Sequence, residues 1–196
     1  RQYDEMRMGF GKIILAILNF ICKVYLTVIR GTPVVVQILI IYFIVFQSSN
    51  AQIPIAALAF GINSGAYVAE IFRSGIMSID IGQNEAGRSL GFNYAQTMIY
   101  IIVPQAFKNV IPTLGNEFIV LLKETAVCGY IGLMDLTRAG DSVRAATYNP
   151  YFPLIFIAVI YLVMPLIAVA LIYLAMVLVF TKLVNMLERR LRNAER

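Results

Sequence analysis

Glu70, Arg73, Glu117, Lys123 and Glu124 stand within long, otherwise apolar stretches of the chain. A charge near the middle of a bilayer costs at least ~2.5 kcal/mol on insertion scales, so side chains of this kind face one another or a water-filled cavity. Asn63, Tyr67, Glu70 and Ser74 recur at spacings of four, three and four, which puts them on one face of a helix. Asn109, Thr113, Asn116, Glu117, Lys123 and Glu124 fall within roughly a third of a helix circumference at about 100° per residue. The chemistry open to such faces is non-covalent. Glu70 and Glu117, each sharing its face with an amide (Asn63, Asn116), can accept from an ammonium or a cationic side chain. Lys123, with Arg73 as the second candidate, can answer a carboxylate, which needs a charged or donor-rich partner once it leaves water. Asn63, Tyr67, Glu70, Asn116, Glu117 and Lys123 are therefore the candidate ligands for a small solute. Three acids against two bases leave one negative charge, which favours a cationic or zwitterionic one.

Covalent chemistry is not supported. The chain has no histidine, and no nucleophile is accompanied by a base and an orienting group. Cys22 and Cys128 sit in apolar surroundings without partner spacing and read as inert packing residues, so neither a disulfide nor a metal site is expected. The phosphate-binding pattern GxxxxGK[ST] is absent, and Gly9-Phe10-Gly11-Lys12 has neither its length nor a preceding strand. The chain is not expected to be an enzyme, to hydrolyse ATP by itself or to carry a cofactor.

The elements that must position these residues are helices in lipid. Hydrophobic residues make up 60% of the chain and charged ones 14%, against roughly 25% charged in soluble domains. The apolar runs are long and continuous, which suits spanning helices rather than alternating barrel strands. The fold class expected is an all-α, polytopic membrane protein forming one domain over residues 1–196. Residues 12–30 carry a narrow polar stripe and read as an entering, partly interfacial helix. A straight helix from there to Gln47 would be about 54 Å long, too long for one crossing, and Gly31-Thr32-Pro33 supplies the break. Crossings are then expected at 33–47, 53–79, 98–124 (its entry broken by Pro104 and Pro112) and 151–183 (kinked at Pro165). Residues 129–149 form an outer-side connection with a short helix. Gly61 and Gly65 offer a small-residue packing face. The net charge of +5 is spread over the flanks, at Arg1, Arg7, Lys12, Lys23 and Arg30 and again at Lys182, Arg189, Arg190, Arg192 and Arg196. That distribution argues for juxtamembrane anchoring with both ends in the cytoplasm, not for nucleic acid.

Residues 82–97 are the one long polar interruption, a docking segment for a partner. Asn84 is the expected N-cap, Glu85 and Ala86 open a short helix, and Gly91 ends it in a left-handed conformation. Small residues at 86 and 87 leave room for a partner groove. The order Glu85-Ala86-Gly87, Gly91, Ile101, Val103-Pro104 resembles the EAA motif of ABC importer permeases, with its spacing intact and with Gly87 and Val103 replacing an alanine and a leucine of similar size. Arg30-Gly31-Thr32-Pro33-Val34-Val35-Val36-Gln37, Asn63 to Ile71, Leu121 to Thr125 and Leu187 to Leu191 extend the resemblance to the polar amino acid branch of that family.

The resemblance implies the membrane subunit of a type I ABC importer that moves a polar, basic amino acid inward by alternating access. It implies a cytoplasmic ATP-binding subunit holding ATP and Mg, which docks on the 82–104 segment through Glu85, Ala86, Gly87, Arg88 and Gly91. A second permease subunit, identical or paralogous, an extracytoplasmic solute-binding protein and a place in the bacterial inner membrane with a cytoplasmic C-terminus complete the expectation. Members of the branch have five crossings, so a further helix is expected ahead of residue 1. The alternative is a self-contained, ion-coupled carrier or channel for a small cationic or zwitterionic solute, using the same polar faces.

Overall fold

In the computed structural model, residues 10–194 are described, with side chains for 11–175, 177, 178, 181 and 182. The flanking charges Arg1, Arg7 and Arg196, and the side chains of Leu187, Glu188, Arg189, Arg190, Leu191 and Arg192, lie outside them. Every regular element among the described residues is helical. Helix α1 is Phe10–Gly31, and α2 is Val34–Ile40, prolonged by a π-turn over Ile41–Val45. Next come α3 (Gln52–Met77), α4 (Ile81–Ser89) and α5 (Tyr94–Thr97). A second π-turn, Met98–Ile102, leads into α6, Val103–Glu124. A 3-10 segment over Thr125–Ile131, α7 (Leu136–Thr147) and α8 (Tyr151–Ala194) complete the chain.

The all-α membrane class is met, with a different set of crossings. Gly11–Gly31 within α1, Gln52–Met77 and Tyr151–Ala175 within α8 are long and apolar enough to span a bilayer. Residues 12–30, expected to be an interfacial entry, are therefore a helix of full crossing length. The expected crossing at 33–47 is only the 12 residues Val34–Val45, about 18 Å at 1.5 Å per residue against a core of about 30 Å. The narrow stripe of Lys12, Asn19, Lys23 and Thr27 accounts for the difference, because it is too thin to lower the apolarity of the whole cylinder. Helix α6, 22 residues long, has the length to cross but is studded with Gln105, Asn109, Asn116, Glu117 and Lys123 and is not among the apolar spans.

The prolines do not break α6. The Val103 N–H reaches the Met98 carbonyl, one residue further back than α geometry requires. This π-turn shifts the register just ahead of Pro104, which has no N–H to place, and Pro112 and Pro165 lie inside continuous helices. Helix α8 runs on past residue 183 to Ala194. Within the expected connection at 129–149, the short helix is α7, capped by Asp135, whose carboxylate accepts from the Arg138 N–H at 2.6 Å.

The chain divides into two compact units, residues 1–110 with 127–133 and residues 111–126 with 134–196. In the first, the core is built from Ile38, Ile55, Ala59, Ala66, Ile102, Ala106 and Val110. Tyr25 donates to the Ile62 carbonyl at 2.6 Å, and a β-carbon on Gly65 would lie 3.1 Å from the Tyr25 oxygen, so α1 and α3 pack closely there. Gly61 meets nothing and takes no part in that face. In the second unit α7 lies against α8, with Gly140 seated against Ile157.

Candidate functional site

The polar residues fall into three groups, each fixed by its own local logic. The first is the break between α1 and α2. In a continuous helix the Ile29 carbonyl would accept from residue 33, but Pro33 has no N–H. The side chain of Gln37, one turn into α2, supplies the donor: its Nε2 lies 2.7 Å from the Ile29 oxygen, 2.9 Å from the Thr32 carbonyl and 2.7 Å from Thr32 Oγ1. Thr32 Oγ1 in turn donates to the Val28 carbonyl at 2.9 Å, closing the end of α1. Asn63 of α3 completes the group by donating to Gln37 Oε1 at 2.9 Å. Gln37 is 7% exposed and Asn63 2%, so these bonds are made out of water, where an unmatched polar group costs about 1–3 kcal/mol.

The second group lies further along the same face of α3. Glu70 pairs with Arg73 through two guanidinium nitrogens, and with Arg30 at the end of α1 at 3.3 Å. The Arg30 guanidinium also sits 5.9 Å from the centre of the Tyr67 ring, a cation–π distance. Two arginines thus flank one carboxylate. This corrects the charge count, in which Arg30 was a flanking charge: with Arg30 included, three acids meet three bases and the negative excess is gone. Glu70, expected to be an acceptor for a cationic solute, is already doubly paired.

The third group is the docking segment. Its N-cap is Asp80, not Asn84: Asp80 Oδ1 accepts from the Gly82 N–H at 2.6 Å, so the helix begins a turn earlier and its negative cap faces the positive end of the helix dipole. The far end follows the expectation. Gly91 has φ 83°, its N–H bonds to the Arg88 carbonyl at 3.0 Å and the Phe92 N–H to the Gly87 carbonyl at 3.1 Å, the paired bonds of a Schellman cap. Glu85, Ala86, Arg88 and Gly91 are exposed, whereas Gly87 is buried. A β-carbon on Gly87 would meet Thr97 Cγ2 at 2.6 Å and Ile101 Cδ1 at 3.1 Å, so this glycine seats α4 on the end of α5 and the π-turn that leads into α6 rather than opening a partner groove.

That contact belongs to a seam that sequence reasoning missed. Phe72 meets Phe107 edge to face at 6.2 Å, Gly75 is seated against Val110, Asn109 donates to Ser78 at 2.8 Å and Gln105 to Gln83 at 3.1 Å. From Gly75–Val110 through Ser78–Asn109 and Gln83–Gln105 to Gly87–Thr97, residue numbers rise on one side as they fall on the other, so α3–α4 and α5–α6 form an antiparallel helical hairpin. The small-residue positions Gly75 and Gly87 were the available signal.

The remaining site residues lie in the second unit. Asn116 lines a cavity of about 430 Å³ between α6 and α8, with Ile111, Pro112, Gly115, Ile119 and Tyr173 among its walls. Glu117 and Lys123 do not line it. The candidate solute ligands are thus split, Asn63, Tyr67 and Glu70 in one unit and Asn116, Glu117 and Lys123 in the other.

Comparison with known proteins supplies the frame for these groups. Residues 13–193 match the family model described as the binding-protein-dependent transport system inner membrane component. The arginine transport system permease protein of Bacillus subtilis is 42% identical over 167 residues, 78% of this chain and 76% of that protein. The glutamine transport system permease protein of Escherichia coli is 38% identical over 152 residues, 76% of this chain and 69% of that protein. Among solved structures, one described as an amino acid ABC transporter with histidines is similar with a TM-score of 0.70 and 49% identity, covering 78% of this chain and 72% of that one.

Proposed function

The chain belongs to the binding-protein-dependent transport system inner membrane components and is a permease subunit of an amino acid ABC transporter, and from that premise we propose that its cargo is a basic amino acid moved inward by alternating access. The observation that carries the cargo is the 42% identity with a permease named for arginine over three quarters of both chains, above the 38% shared with one named for glutamine. The similar structure named for histidines adds a second side chain that can be cationic. The charge count no longer speaks for a cation, so the cargo reading stands on these likenesses and on Glu117.

In this reading a separate cytoplasmic subunit binds and hydrolyses ATP with Mg and grips the exposed face of α4 around Glu85, Ala86 and Arg88. A second permease subunit encloses the path, and an extracytoplasmic binding protein delivers the solute. The protein sits in the bacterial inner membrane with its C-terminus inside. Asn116, Glu117 and Lys123 are the cargo-facing set: Glu117 answers the basic side chain and Lys123 the α-carboxylate. One charge-assisted bond to the cargo is worth about 1.5–3 kcal/mol, roughly ten- to a hundred-fold in affinity.

The test is uptake of labelled arginine and labelled glutamine by liposomes holding the assembled transporter, parent and Glu117→Gln. Arginine uptake should exceed glutamine uptake in the parent, and Glu117→Gln should weaken arginine far more than glutamine. Equal losses for both, or a parent that prefers glutamine, would refute the basic cargo.

A further inference from the structure

Arg30, which pairs with Glu70, lies in the last turn of α1, and the end of that helix is held by Gln37. Pro33 orphans the Ile29 carbonyl, and Thr32 lies past the last α-helical residue. Gln37 Nε2 collects both carbonyls and the Thr32 hydroxyl within 2.9 Å. Its Oε1 is turned to α3, where Asn63 holds it. Seven residues further along α3 lies Glu70, with Arg30 at 3.3 Å and the Tyr67 ring under the same guanidinium. Those two contacts of Arg30, together with the bond from Tyr25 to Ile62, tie the end of α1 to this part of α3.

We propose that Gln37 is a positioning residue for transport: through the Thr32 turn on one side and Asn63 on the other, it delivers Arg30 to Glu70. Asn63 then acts through Gln37 and not on the cargo. The consequence is electrostatic. On a membrane helix an unpaired carboxylate is costly, and Arg73 sits on α3 itself, so it moves with Glu70 whatever α1 does. Arg30 is the partner that α1 can bring or withdraw, and Gln37 sets which. A leucine at 37 keeps the volume but leaves the Ile29 and Thr32 carbonyls and the Asn63 amide without their partner, so the turn reorganises and Arg30 leaves. A glutamate at 37 is the sharper probe, because its carboxylate would face the same two carbonyl oxygens that now accept from Nε2.

The proposal rests on the import reading but is tested on position first, so the two can fail separately. Arg30→Cys/Glu70→Cys is made in the assembled transporter and joined by a short bifunctional thiol reagent in membranes, which needs no knowledge of the cargo. Adding Gln37→Leu or Gln37→Glu should slow the cross-link by roughly ten-fold, and Asn63→Leu should do the same, whereas Gln105→Leu, on the far side of the α3–α6 seam, should not. In uptake assays with native Glu70, Gln37→Leu and Arg30→Gln should each reduce transport by at least about three-fold, and the double variant should match the worse single one, the signature of two residues acting in series. Cross-linking that Gln37 substitutions leave unchanged, or losses that multiply in the double variant, would overturn it. If Gln37→Leu impairs assembly, the conservative Gln37→Asn, whose shorter amide cannot span the same acceptors, takes its place in the same cycle, and the same two results uphold or overturn the proposal.

Discussion

A residue at φ 83°, as Gly91 is, is in the left-handed region where a β-carbon costs roughly 1–2 kcal/mol. Asparagine tolerates that region better than alanine. Gly91→Ala should therefore loosen the end of α4, speeding hydrogen exchange at the Phe92 amide, which bonds to the Gly87 carbonyl, and lowering cargo-stimulated ATP hydrolysis in the assembled transporter. Gly91→Asn should retain most of both. Identical behaviour of the two variants would mean that backbone conformation is not what Gly91 contributes. This position was legible from sequence because helix ends have local rules: a polar run, small residues, then glycine. Asp80 was missed for a related reason. Asp80 and Asn84 are both competent caps one turn apart, and the choice depends on where α3 ends, which local composition does not fix. The partnership of Arg30 with Glu70 was out of reach, since spacing along one helix says nothing about which charge a neighbouring helix brings.

At the scale of elements, the docking segment is better described as the tip of a hairpin than as a loop in water. From Phe72–Phe107 through Gly75–Val110, Ser78–Asn109 and Gln83–Gln105 to Gly87–Thr97, each step of α3–α4 has a counterpart on α5–α6. If a partner grips α4, as proposed, these contacts are the route by which its movement would reach the first turns of α6. Gly87→Leu should break that link, because a side chain there has no room against Thr97, which is fully buried. Overpacking of this kind costs about 1–3 kcal/mol. ATP hydrolysis by the assembled complex should then persist while its stimulation by cargo falls. Unaltered stimulation would show that the seam does not carry the signal. Helix existence and apolar faces were readable from periodicity, yet pairing was not: Asn109, read from sequence with Thr113, Asn116, Glu117, Lys123 and Glu124 as one stripe, serves the hairpin instead, beside Gln105, which that stripe did not include.

For the whole molecule, the number of bilayer crossings decides which surfaces a partner can reach. One apolar helix of spanning length, Gln52–Met77, separates Asn50 from Ser89, so these two residues belong on opposite sides. Between Ser89 and Arg192 lie α6 and the apolar span of α8; those two residues share a side only if α6 also crosses, despite its polar stripe. The basic run from Lys182 onward favours the cytoplasm for Arg192. In a Cys22→Ser background, which removes the exposed native thiol and leaves the buried Cys128, an impermeant thiol reagent should label Asn50→Cys in intact cells. Ser89→Cys and Arg192→Cys should label only after permeabilisation. Labelling of Arg192→Cys from outside, with Ser89→Cys still protected, would mean that α6 does not span and that its polar face belongs to the membrane surface. Labelling of Ser89→Cys in intact cells would put the α4 tip on the wrong side for a cytoplasmic ATP-binding subunit, and with it the coupling role assigned to Glu85, Ala86 and Arg88 would fall.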